Sequence, residues 1–211
     1  MSSVRRFSRS DRAPRFPRAI VLAVGLWAWL GIPAAWGQGA PVELIRADVT
    51  KLKTLDSSQW AVLGVRLGDA KEGALRLLQQ TGNIKVQDDP AAGRIFVYAP
   101  PTSTNVVMSL RISQNQVTAI NLIGGFSEWL QGDTRLLFRA FDDDSLRHKL
   151  LGREDHREVV RGGTKEAPIA DVSYAYFKEG ILLHYSLKGA ADGKQAETLR
   201  ELVLIYPARA R

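Results

Sequence analysis

The chain has 211 residues, a formal net charge of +7, 45% hydrophobic and 24% charged residues, and no cysteine. This composition suits a globular protein, and the missing cysteines exclude disulfides, thiolate metal sites, a CxxC redox pair, covalent c-type haem and a lipidated N-terminal cysteine. The basic excess suggests a nucleic-acid partner only until it is located: six arginines (Arg5, Arg6, Arg9, Arg12, Arg15, Arg18) face Asp11 alone in the first eighteen residues, and without those seven charges the +7 falls to +2, so no nucleic-acid partner is expected.

The basic start is followed by an apolar run over residues 19–36 and by small residues at Ala35 and Gly37. A positive n-region, an apolar h-region and small residues before the cut predict a secretory signal peptide over residues 1–37. An uncleaved anchor is the alternative, since the run just reaches bilayer-spanning length, and it is the only membrane contact expected. Pro33 and the Ala35/Gly37 pair favour cleavage near Gly37, with the periplasm or the medium beyond it as destination. Residues 38–211 are enough for one medium domain or two small ones.

Residues 38–58 read as an N-terminal segment with a short strand at 42–45. A strand-like approach runs from Trp60 to Leu67 and stops at Gly68. Asp69 and Glu72 have capping-box spacing, predicting a helix with Ala70, Ala74, Leu77 and Leu78 on one face and Gly82 as its left-handed end. An extended piece at 84–86, a turn at 88–93 and a strand from Ile95 to Pro100-Pro101 come next. Alternation over 106–113 and 117–123 predicts an antiparallel hairpin with one buried face.

The second half repeats the scheme. Asp133 is expected to cap one helix; Asp143 or Asp144 starts another, with Leu146, Leu150 and Leu151 ending at Gly152. Residues 162–168 read as a polar loop, 172–177 and 180–187 as a hairpin turning at Gly180, 188–197 as a loop and 199–206 as a last strand. The fold expected is therefore α+β: two helix-plus-antiparallel-sheet units packed together, over residues 59–125 and 126–211, with one continuous α+β domain as the alternative. Trp129 is expected to plug the junction of the units.

LGVRLGDAKEGALRLL, a glycine, and then antiparallel strands in an exported chain resemble the helix-plus-sheet modules of the BamE and beta-lactamase-inhibitor-protein group. The resemblance implies a fold that presents a sheet face or loops to another protein.

Chemistry-bearing residues are sparse. Asp144 and His148 at i, i+4, with His156 beyond, form the best metal candidate, but Asp142 to Asp144 as helix caps and 153–158 as a solvated mixed-charge turn is the preferred reading. His184 alternates with Leu182 and Ser186 as a sheet residue would, and neither a GxSxG elbow nor a P-loop is present. Tyr174 and Tyr176 share a strand face, as core or as contacts for a partner. The expectation is a non-enzymatic module, without cofactor, that binds a protein partner in the cell envelope. A periplasmic hydrolase using His148, His156 and nearby carboxylates and a small-ligand binder with a pocket between the units are the alternatives.

Overall fold

The computed structural model describes residues 41–44, 47–52, 55–124, 140–163, 168–189 and 195–208. The expected signal peptide, Asp133 and Trp129 lie outside these residues. The fold is α+β. A small sheet is made by β1 (Val42–Glu43), β2 (Trp60–Val62) and β3 (Val65–Arg66), with β1 parallel to β2. Helix α1 (Lys71–Gln80) follows, then β4 (Lys85–Asp89), β5 (Arg94–Tyr98), β6 (Val106–Ser113) and β7 (Gln116–Ile123). Helix α2 (Asp144–Leu151) leads into β8 (His156–Gly163), β9 (Pro168–Tyr176), β10 (Ile181–Gly189) and β11 (Gln195–Ile205). The eight strands β4 to β11 form one sheet in the order β4-β5-β6-β7-β11-β10-β9-β8, antiparallel throughout. Among the described residues, a helix followed by a four-stranded meander thus occurs twice. The two meanders meet through their last strands, β7 and β11.

Strand alternation sorts the sheet's two faces. Ile95, Val97, Met108, Leu110, Ile120, Leu122, Leu202, Leu183 and Tyr185 bury one face in a core shared with Trp60, Val65, Ala74, Leu78, Phe141 and Leu151. Ala119, Ala175, Leu182 and Val203 form a separate small cluster on the opposite face. Two tight turns set the hairpins. Leu63 and Gly64 adopt φ of 54° and 78° between β2 and β3, and Glu43 accepts from both their amides, at 2.9 and 3.0 Å. Gln114 and Asn115 (φ 49° and 61°) join β6 to β7, a two-residue connection with the left-handed geometry that matches strand twist.

The start of α1 differs from the expected capping box. Its N-cap is Ala70, with no side-chain cap bond. The Asp69 carboxylate turns back to accept from Arg66 N at 2.7 Å, and Glu72 accepts from Asn115 Nδ2 at 3.0 Å. The β6–β7 turn has displaced the local cap: the Asn115 carbonyl takes the Lys71 amide at 3.0 Å, satisfying a helix donor that a carboxylate would otherwise serve. At the other end Asn83, at φ 63°, takes the left-handed position expected of Gly82. Leu77 is 37% exposed, so only Ala74 and Leu78 of the expected stripe are buried. Asp69→Ala should therefore cost about 0.5–1.5 kcal/mol, the worth of one turn hydrogen bond. Urea denaturation measures the loss, and unchanged helical circular dichroism separates it from loss of a helix cap.

The second helix follows local rules. Asp143 is its N-cap, accepting from Leu146 N at 2.9 Å, and Gly152 ends it at φ 72°. Downstream, strand reaches into stretches expected as turn or loop: among the described residues, 156–158, 162–163, 168, 188–189 and 195–197 are strand. β8 begins at His156, β9 at Pro168, and β10 and β11 extend to Gly189 and from Gln195. Charge density reads as a solvated turn over 153–158, whereas β8 is an edge strand, which keeps charged side chains in water while its backbone pairs on one side.

Candidate functional site

Between α2 and the β8-to-β11 half of the sheet lies a cavity of about 470 Å³, lined by Asp142, Asp144, Arg147, His148, Glu154, Arg157, Tyr174 and Glu197. Arg147 occupies its floor. Four residues before the buried Leu151, it falls on the face of α2 that meets the sheet, and it is only 1% exposed. Its guanidinium carbon lies 4.3 Å from the Tyr174 ring centroid and 4.9 Å from that of Tyr185, rings that pack edge to face at 5.6 Å. Nη1 donates to Glu197 at 3.1 Å and Nη2 donates to Asp144. The Tyr174 hydroxyl donates to the other Glu197 oxygen at 2.8 Å. The hydroxyl of Tyr185 donates to the carbonyl of Phe141, tying the start of the α2 region to β10.

The electrostatics follow from burial. Desolvation works against the Arg147 charge, but Tyr185 and Glu197 outweigh it and hold the guanidinium more firmly protonated than usual. Burial raises the hydroxyl pKa of Tyr174, and pushes that of Tyr176 up to about 12. It also raises the carboxyl pKa of Asp142, against the 2.7 Å bond that its Oδ1 accepts from Leu199 N. Around the opening, Arg157 stacks on Tyr174 at 5.7 Å. Four carboxylates thus face two guanidiniums, a formal negative excess of two among these six groups. Among the described residues, the lining holds no serine, threonine, cysteine or lysine.

Of the metal candidates, Asp144 and His148 are brought together, with His148 Nδ1 3.5 Å from the Asp144 carboxylate, and His156 is not. His148 Nδ1 sits 3.1 Å from the Asp144 carbonyl, and the Asp144 carboxylate is engaged by Arg147. His156 pairs with Ala175 in the opposite-face cluster, while its neighbour Arg157 lines the cavity; strand alternation therefore points His156 away from α2. Among the described residues, no three histidine or carboxylate side chains are grouped to hold a metal. Tyr174 and Tyr176, read as core or as partner contacts, are 6% and 0% exposed and belong to the core. The long-range partners Glu197 and Arg157 were missed by sequence reasoning. Arg147 alone left a signal, a cation at core spacing from Leu151.

On the opposite face, Ser173 Oγ lies 2.7 Å from His184 Nδ1. Both strands are interior to the sheet, so their backbone N–H groups are used by the ladder and none is set to hold an oxyanion. Burial lowers the His184 pKa, against the charges of Glu201, Asp171 and Glu158. The unfolded chain thus takes up this proton first. Stability is full above the ordinary histidine range, near pH ~6.5, and falls as pH drops through it toward the lower folded value. Denaturation curves over pH should show wild type losing more stability below that range than His184→Gln; parallel profiles would show that the ring titrates as it does in the unfolded chain.

No protein-family model, curated protein or solved structure matches the chain.

Proposed function

We propose that the protein is an exported, non-enzymatic binding module for another protein of the cell envelope, built from two helix-plus-meander units joined at β7 and β11. The cavity on α2 is its recognition point. The observation that carries this reading is the state of the cavity's charges. Arg147 is held by Glu197 and Asp144, so it is fixed as structure, while Glu154 lies at the opening in a surplus of negative charge. Such a site selects a cationic side chain, with rim charges setting association and register more than affinity.

The test is affinity capture from envelope extracts with the wild-type chain and with Glu154→Lys, which alters a lining carboxylate outside the Arg147 ion pairs. A partner retained by wild type and lost with the variant supports the reading. An identical set of retained proteins from the two baits overturns it.

A further inference from the structure

The two edges of the eight-stranded sheet are unlike. β4 is five residues long, carries Lys85, Asp88 and Asp89, and is bound to α1 by the Lys71–Asp88 ion pair at 2.7 Å. These are the devices that blunt an edge against further pairing. β8 is eight residues long, HREVVRGG, and among the described residues it pairs only with β9. Its other side presents a row of backbone donors and acceptors. It contains no proline or lysine, although Arg157, Glu158 and Arg161 charge it as Lys85, Asp88 and Asp89 charge β4, and Val159, on the helix-bearing face, is 37% exposed. Glu154 just before β8 and Arg157 within it both line the carboxylate-rich cavity, so this longer edge and the cavity adjoin.

We propose that the β8 edge accepts an extended segment of a partner protein as a ninth strand, with a lysine or arginine of that segment directed into the cavity. Backbone pairing supplies sequence-tolerant affinity, and the alternate side chain pointing to the helix-bearing face supplies selectivity. On that face β8 carries Arg157, Val159 and Arg161, and the incoming cation is placed beside Val159. Glu154 and the carboxylates of α2 receive it. The inference rests on the reading of the cavity as the recognition point.

The experiment uses the full chain and a labelled peptide roughly nine residues long, alternating threonine and valine with one central lysine, a length matched to strand pairing. Fluorescence anisotropy should show saturable binding, weakened about tenfold or more when the central lysine is glutamate. Glu154→Lys should invert that preference. Two peptides N-methylated on alternate amides should differ sharply, because only one set of amides faces β8: one peptide loses binding and the other keeps it. Hydrogen exchange should slow at β8 when peptide is added.

If both N-methylated peptides bind like the parent while the charge inversion persists, the ninth strand is overturned and the cavity reading stands. If lysine and glutamate peptides bind alike, or none binds, the cation-selective edge is overturned. Slower β8 exchange on raising protein concentration alone assigns the edge to a second copy and also overturns the proposal.

Discussion

Arg147→Ala should lower the unfolding free energy by about 3–5 kcal/mol, the usual effect of deleting one partner of a buried ion pair. The guanidinium is 1% exposed, pairs with Glu197 and Asp144, and fills the space against Tyr174 and Tyr185. Its removal leaves Glu197 half-desolvated without its cation and opens a void under two aromatic rings. The partners should not be equivalent. The Asp144 side chain is 71% exposed, so Asp144→Asn should cost about 0–1 kcal/mol, whereas Glu197, at 24%, should be intermediate. Guanidinium denaturation of the three variants gives the ranking. Equal effects from Arg147→Ala and Asp144→Asn would mean that the charge is solvated and the floor of the cavity is not a buried ion pair.

Gly180→Ala should cost about 4 kcal/mol, combining backbone strain with overpacking at a site that cannot yield. Gly180 stands at φ 71°, and an added Cβ would collide with Ser57 Oγ and the Ile205 carbonyl and approach Pro207 N at 2.9 Å. These atoms are mutually tied. Ser57 Oγ donates to the Ile205 carbonyl at 2.5 Å, Ser57 N to the Glu179 carbonyl at 2.9 Å, and Ile205 N to the Gly180 carbonyl at 2.8 Å. The knot fastens the segment ahead of β2 to the β9–β10 turn and the end of β11. Thermal unfolding should show a melting temperature lowered by roughly ten degrees or more, given the usual shift for each kcal/mol in a domain of this size. A control, Gly152→Ala, has the same sign of φ (72°) with open space around it, so it carries strain without collision and should cost clearly less.

The amino-acid sequence by itself determined the features that depend on residues a few positions apart. Asp143 caps α2, Gly152 ends it, Gly180 turns the β9–β10 hairpin, and alternation places Met108 and Leu110 on the core face, each through local sterics or hydrogen bonding. The tertiary structure decided what depends on distant backbone. Asp69 and Glu72 have capping spacing, yet the β6–β7 turn arrives at the helix start and Asn115 takes both the amide and the Glu72 carboxylate. His156 and Arg157 are neighbours in a charged run, and only the register with β9 sends one to the cavity and the other to the opposite face. Arg147 and Glu197, 50 residues apart, meet because β11, β10, β9 and β8 lie side by side beneath α2. A local motif states which bonds a residue is able to make; which bond forms is settled when long-range strand pairing brings a competing partner at the same distance.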